Sequence, residues 1–363
     1  MQITAAVVEE QGAPFVLQQL ELEHPRADEV LVRIEAAGIC RSDLSAREHL
    51  TQHPIVLGHE GAGVVEAIGS AVTWVAPGDR VALSFQACAV CERCRLGQPY
   101  YCERADMNLN GTRNDGSSGY TRNGAPVHGH FFGQSSFATM SLATEQNVVR
   151  IDADIDLRLV APLGCGIQTG AGAVLNGLKP PPGSTIAIFG AGAVGLSALL
   201  AALASGCSRL IMVDQVGSRL ELARELGASD TIDASTTDLG EALSRLAPAG
   251  LPAALDTTGA PPVIAAAFAA LARGGLLGLV GVGPWGTAID LDLNGLSLGG
   301  RVVQGMPTGL AVSSVLIPKL IDLHLAGRFA HDRIVTFCDA ADIEMAAAHV
   351  LDGTMIKPIL QFD

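Results

Sequence analysis

The chain has 363 residues, room for two domains at ~100–200 residues each, and 23 basic against 37 acidic side chains leave a net charge of −14. That balance disfavours a phosphate-backbone partner, which needs clustered Lys and Arg, so no nucleic-acid binding is expected. Although 48% of residues are hydrophobic, the longest apolar candidate, Ala193 to Ala204, falls short of the ~20 residues of a spanning helix, and no membrane segment is expected.

Met1 to Val8 lacks the basic stretch and apolar core of a secretory signal, so a cytoplasmic location is the expectation. In a reducing compartment the eight cysteines point to metal or catalytic roles rather than a disulfide framework. Ile3 to Gly38 reads as short strands with turns at Gly12, Pro14 and Pro25, and Val30 to Ile34 is β-branched enough for a strand. The pattern continues from Ile55 to Val81, where glycines at 58, 61, 63 and 69 suggest bends or close backbone approach. Residues 86 to 133 are dense in Cys, Gly, Asn and Arg without sustained periodicity, and read as a lobe or long loop. Asn147 to Ile151 reads as a strand, Gly170 to Leu175 as helical, and Lys179 to Gly183, with three prolines, as a turn.

That turn leads into the most informative stretch. Ile186 to Phe189 reads as a buried strand, and Gly190-Ala191-Gly192-Ala193-Val194-Gly195 fits G-x-G-x-x-G where strand meets helix. Gly190 permits the sharp turn, Gly192 lets backbone approach a pyrophosphate, and Gly195 lets the helix pack on the strand. Leu210 to Val213 reads as the next strand, ending at Asp214 about 20 residues on, where a carboxylate accepts ribose hydroxyls and repels a 2′-phosphate. NAD is therefore expected over NADP. Farther along, Arg219 to Leu226 reads as a helix closed by Gly227, and Thr231-Ile232, Ala253 to Asp256, Leu276 to Val282 and Arg301 to Gln304 read as strands. Alternating β and α implies a parallel sheet with helices on both faces. Val312 to Leu325 reads as a helix, and Ile334 to Phe337 and Lys357 to Phe362 as strands that rejoin the β-rich domain. The class is α/β: a β-rich domain plus a doubly wound parallel sheet.

Cys88, Cys91, Cys94 and Cys102 form C-x2-C-x2-C-x7-C in the lobe, a spacing that lets four thiolates close a tetrahedron around a structural zinc. An iron–sulfur cluster fits the spacing only loosely, and a zinc-ribbon binding module would need a basic face around Arg93, Arg95 and Arg104 in a chain of net charge −14. Cys40 opens Cys40-Arg41-Ser42-Asp43, His59 lies in Gly58-His59-Glu60, and Cys165 in Gly164-Cys165-Gly166. On spacing alone each is as readily a buried thiol or a core histidine as a ligand, and Asp43 as readily a helix cap.

These motifs, in this order over nearly the whole length, resemble the zinc-dependent medium-chain alcohol dehydrogenases, and Phe131 to Thr139 with Pro162 to Val174 resembles the aryl-alcohol (benzyl-alcohol) branch, which includes terpene alcohol dehydrogenases. The resemblance implies a GroES-like catalytic domain over 1–166 and 308–363, with a structural-zinc lobe at about 86–104, and an NAD-binding Rossmann domain over 167–307. It implies two zinc ions per chain, one of them catalytic on Cys40, His59 and Cys165, a Cys2His set for which alcohol dehydrogenase is the standing example. Glu60 is then an acid able to approach that metal, and Asp43 a partner for the other ring nitrogen of His59. Hydride leaves the carbinol carbon of a zinc-bound alkoxide for the nicotinamide, and Ser42 takes the alcohol proton. The usual outlet of that relay is a histidine where this chain has Ser45, with His49 as a substitute. Arg41 and Lys357 are implied at the pyrophosphate, Thr169 and Val194 near the nicotinamide, and Arg219 near the adenosine ribose, beside Gly190, Gly192, Gly195 and Asp214. Leu44, Ser84, Phe85, Phe131 and Phe132 are implied at the substrate pocket. The expected activity is reversible oxidation of a primary aromatic or allylic alcohol to its aldehyde; the alternatives are a terpene (geraniol- or perillyl-type) alcohol, or a zinc polyol or formaldehyde dehydrogenase. A homodimer or homotetramer is expected, joined along the sheet edge near Leu298 to Gln304.

Overall fold

The computed structural model describes residues 1–50 and 52–362. The chain forms two compact units, one built from Met1–Cys165, Val312–Ile321 and the stretch from Asp332, the other from Gly166–Ala311 and Asp322–His331.

The first unit is β-rich. Its longest strand, Glu29–Gly38, is buried almost throughout because it is covered on both faces: Val30, Val32 and Ile34 enter one hydrophobic core, and Leu31 enters another. It pairs antiparallel with Gly61–Ile68, Met140–Thr144 and the C-terminal Lys357–Gln361. The approach to Gly61–Ile68 is so close that a Cβ on Gly63 would sit 1.9 Å from the Arg33 carbonyl oxygen. A second sheet runs Ile55–Val56, Gln2–Val8, Val16–Leu22, Tyr120–Arg122 and Ala125–Val127. Segment 86–133 is mostly loop with short helical turns, and Arg113 ties it down: its Nε and Nη2 donate to the Glu29 carboxylate at 2.6 and 3.0 Å, and its Nη1 to Glu23 at 2.6 Å.

The second unit carries a parallel sheet in the order Asp230–Asp233, Arg209–Asp214, Thr185–Phe189, Leu251–Asp256, Leu271–Leu279, Val302–Gly305. In chain order this is 3-2-1-4-5-6, the arrangement of dinucleotide-binding sheets. Helix Ala193–Ala204 is buried from Gly195 to Ala202, which its all-round apolar sequence requires. Helix Gly166–Gly172 packs on it so closely that a Cβ on Gly170 would lie 1.9 Å from the Val194 carbonyl. Among the described residues no helix is long and apolar enough to cross a membrane.

Candidate active site

Two groups of metal-ligand side chains converge among the described residues, and both belong to the first unit. In one, ligand atoms of Cys40, His59, Glu60 and Cys165 lie within 4.8 Å of one another. Each arrives by a turn that leaves no slack. Cys40 is the N-cap of helix Arg41–His49, directly after the long central strand. His59 follows Gly58, whose φ of +92° and whose would-be Cβ, 2.5 Å from the Phe137 backbone nitrogen, admit only glycine. Cys165 follows Gly164, where a Cβ would meet the Leu83 carbonyl at 2.2 Å.

Asp43 serves both of the roles that the sequence left open. Its Oδ2 accepts the Cys40 backbone N–H at 2.9 Å, closing the first turn of the helix, while Oδ1 accepts from His59 Nδ1 at 2.8 Å and from the Gly58 N–H at 3.1 Å. The Asp43 bond keeps a proton on Nδ1, so the buried Nε2, which has no hydrogen-bond partner, offers a lone pair. The Phe132 ring stacks on the imidazole at 4.5 Å between centroids and 24° between planes, and Phe131 meets it edge-on at 5.5 Å. A hydrogen bond from the Cys165 thiol holds the Cys40 pKa well below the ordinary thiol value, and that same bond, with burial, pushes Cys165 well above it. One thiolate forms readily and the second only against the charge of the first. An unpaired imidazole nitrogen beside two such thiols fits a divalent ion, and a three-ligand site of this kind leaves one position for substrate.

Lys357, expected at the pyrophosphate, turns its ammonium into this same cluster. It is 2% exposed, and its Nζ donates to Glu60 Oε1 and Oε2 at 2.9 and 3.0 Å and to the Ile39 carbonyl at 3.1 Å, so all three donors are spent inside this cluster. Burial raises the Glu60 pKa, with Lys357 opposing it; burial alone would lower that of Lys357, but Glu60 raises it.

In the lobe, Cys88, Cys91, Cys94 and Cys102 bring their sulfurs within 4.8 Å. Backbone N–H groups of Cys88 and Cys91 donate to sulfurs of Cys102 and Cys88 at 3.3 Å. Backbone N–H donors of Glu103 and Cys94 bring the Cys91 thiol down to about 6, whereas burial and neighbouring thiols push Cys94 up to about 12. Four thiolates need a cation between them, and none of the four forms a disulfide.

In the second unit the glycine turn has the geometry its sequence demands. Gly190 has φ of +97°, a Cβ on Gly195 would lie 1.7 Å from the Gly190 carbonyl, and a Cβ on Gly192 would project into open space, the cradle a pyrophosphate fills. Asp214 ends its strand with Oδ2 accepting the Ala191 N–H at 2.6 Å and Oδ1 accepting those of Gln215 and Val216 at 2.8 and 2.9 Å. Three of roughly four acceptor sites are thereby used, leaving one for a ribose hydroxyl. Arg219 lies in the first turn of helix Gly217–Glu225 with its Nε unpartnered; Thr169 belongs to helix Gly166–Gly172, and Val194, between Gly192 and Gly195, to the first turn of helix Ala193–Ala204.

The remaining expected residues divide by exposure. Arg41, Ser42, Ser45 and His49 are exposed on helix Arg41–His49, and Ser42 Oγ lies 3.8 Å from the Cys40 sulfur. Of the five implied pocket residues, Leu44 is buried in the core, Phe131 is fully buried, and Ser84 is fully buried with its hydroxyl bonded to the Gly164 carbonyl at 2.6 Å and to Ser313 at 2.9 Å. Phe132 is half-buried against His59, whereas Phe85 lines a crevice of about 520 Å3 with Trp74, Cys94, Asn147 and Ser313. Sequence reasoning missed Gln134, which is fully buried and bonded to the His59 and Ser84 carbonyls and the Gly61 N–H; a lone glutamine amid Phe, Gly and Ser was its only trace.

Comparison with known proteins agrees with this geometry. Residues 26–153 match the family described as alcohol dehydrogenase GroES-like domain, and residues 193–323 match zinc-binding dehydrogenase. A geraniol dehydrogenase of Castellaniella defragrans is 42% identical over 99% of this chain and 97% of its own. Among solved structures, an alcohol dehydrogenase zinc-binding domain protein from Burkholderia ambifaria superposes with a TM-score of 0.98 at 44% identity, covering 100% of this chain and 99% of that one. The benzyl alcohol dehydrogenase of Acinetobacter calcoaceticus does so with a TM-score of 0.97 at 42% identity, covering both chains fully. With a β-rich unit carrying two metal-ligand clusters, a 3-2-1-4-5-6 sheet behind a glycine turn, and full-length relatives of this kind, the chain belongs to the zinc-dependent medium-chain alcohol dehydrogenases.

Proposed function

We propose that the protein oxidises primary alcohols whose carbinol carbon adjoins an unsaturated carbon, benzylic or allylic, to the corresponding aldehydes, with NAD as hydride acceptor. The observation that carries this reading is the unpartnered Nε2 of His59, set between Cys40 and Cys165 and stacked on Phe132. Zinc in that site supplies a Lewis acid that makes an alcohol hydroxyl ionise near neutral pH, and NAD supplies the hydride acceptor. Cys40, His59 and Cys165 hold the metal, Asp43 fixes the His59 tautomer, and Ser42 takes the hydroxyl proton. Ser42, Ser45 and His49 share one exposed helix face, and the His49 Nδ1–H donates to the Ser45 carbonyl at 2.8 Å, which leaves Nε2 as the nitrogen that takes up a proton at the exit we assign to His49. Cys88, Cys91, Cys94 and Cys102 hold the second zinc as a structural ion. Asp214 favours NAD over NADP by repelling a 2′-phosphate.

Similarity to a geraniol dehydrogenase and a benzyl alcohol dehydrogenase supports the substrate class, since both named alcohols share that unsaturated neighbour. Apolar walls contributed by Phe132 suit such substrates. The test is nicotinamide reduction across benzyl alcohol, geraniol, perillyl alcohol, sorbitol and ethanol, with zinc content measured on the same protein. Benzylic and allylic alcohols are expected to give the highest kcat/KM with two zinc ions per chain; ethanol or sorbitol turning over best would refute the substrate class.

A further inference from the structure

The segment before strand Met140–Thr144 follows an unusual path. His130, Phe132, Gly133 and Ser135 have φ of +61°, +52°, +70° and +56°, so the chain takes four left-handed residues in six, three of them without glycine's freedom. Backbones held in this region are sustained by surrounding bonds, and here those bonds are visible. The Ser135 hydroxyl accepts the Phe131 N–H at 3.0 Å and donates to the Val56 carbonyl at 2.7 Å, while the Ser141 hydroxyl donates to the Gln134 carbonyl. The path delivers two groups to His59. One is the Phe132 ring; the other is the carboxamide of Gln134, which is 0% exposed.

That carboxamide is spent entirely on the backbone around the metal-ligand cluster. Nε2 donates to the His59 carbonyl at 2.9 Å and the Ser84 carbonyl at 3.0 Å, and Oε1 accepts the Gly61 N–H at 3.1 Å. The glycine at 61 makes room for this, since a Cβ there would lie 3.2 Å from Gln134 Oε1 and 2.7 Å from the Ser136 Cβ. Asp43 grips the ring of His59, and Gln134 grips its main chain.

We propose that Gln134 is a positioning residue for His59: by fixing the backbone on both sides of Glu60, it sets where His59 Nε2 points, and so the affinity and geometry of the zinc centre. This rests on His59 being a zinc ligand. A side chain that merely filled the core would stabilise the fold without changing the metal.

The experiment compares wild type with Gln134→Met, which keeps the bulk and loses all three bonds, and with Ser135→Ala, which removes two buried bonds of the same turn that do not touch residues 59–61. Zinc release to a chromogenic chelator is followed in each holoenzyme, with the catalytic-site phase identified by its absence in Cys40→Ser. The visible spectrum of the cobalt-substituted protein is recorded alongside. Gln134→Met is expected to speed the catalytic-site phase at least ~10-fold, the scale seen when support of a metal ligand is lost, and to shift the cobalt bands, leaving the lobe phase alone. Ser135→Ala, which loosens the turn but keeps the carboxamide and its three bonds, is expected to lower the melting temperature and to move both readouts by less than Gln134→Met does. An effect as large as that of Gln134→Met would overturn the proposal by assigning the support to the turn and not to the amide. Release and spectrum unchanged in Gln134→Met overturn the proposal. Should that variant not fold, Gln134→Asn, whose shorter amide cannot reach all three partners, is read by the same two criteria. A wild type holding a single zinc and lacking the Cys40-dependent phase would instead overturn the reading of the metal centre itself, and the proposal with it.

Discussion

Lys357 places an ammonium group out of reach of solvent, and its stabilising partner there is one carboxylate, Glu60. Taking two charges from water is expensive, and a buried pair is sustained only when its remaining donors are satisfied, as the Ile39 carbonyl does here. Removing one member therefore costs more than the pair contributes: Lys357→Met is expected to destabilise the protein by about 3–5 kcal/mol, because it strands the carboxylate. Adding Glu60→Gln should restore much of the loss. Urea denaturation of the single and double variants measures both, and a Lys357→Met midpoint equal to wild type would contradict the argument. Asp43 shows the same economy of placement, with one carboxylate serving a helix start, a tight turn and an imidazole.

Among elements, the strand Val302–Gly305 ends its sheet with one side unpaired among the described residues, and Leu298 and Val302 are 70% and 48% exposed. Such an edge invites a second copy of the chain. Val302→Lys is expected to weaken a homo-oligomer roughly tenfold or more, by ~1.4 kcal/mol, which light scattering over a concentration series detects; an unchanged mass at every concentration would argue against this edge. The elements around the glycine turn were readable because their signals are local: a short apolar run, glycines at fixed spacing and an acid at a strand end all act within thirty-one residues of Ser184–Asp214. Helix Arg41–His49 was not, since Leu44 and Ala46 are its only apolar residues, too few among charged neighbours to show a period. That Ser84 and Leu44 are buried was not readable locally, because burial is decided by tertiary packing. The Lys357–Glu60 pair spans 297 positions, a distance over which no sequence pattern speaks.

Across the molecule, acid stability should be set by the buried network that ties the lobe to the β-rich unit. His130 is buried with Nε2 unpartnered, and burial, then the nearby Arg113 charge, hold its pKa down at about 4, with Glu29 and Glu23 opposing and Arg26 adding to the effect. Between the ordinary histidine value near ~6.5 and about 4 the unfolded chain binds a proton that the folded one refuses, so stability present above that window is lost as pH falls, by about 1.4 kcal/mol per pH unit. His130→Asn, which tolerates the left-handed backbone, should flatten this slope between pH 6.5 and 5 in denaturation experiments; an unaltered slope would remove His130 from the account. The stack of Phe132 on His59 has a consequence for redesign and for natural divergence alike. With Phe132 at the pocket and His59 on the metal, as proposed above, trimming Phe132 to admit bulkier alcohols would also strip the imidazole of its platform, so new substrate range and metal retention trade against each other at a single codon. Lineages that broaden their substrates should therefore change elsewhere first, or carry a compensating change beneath the histidine.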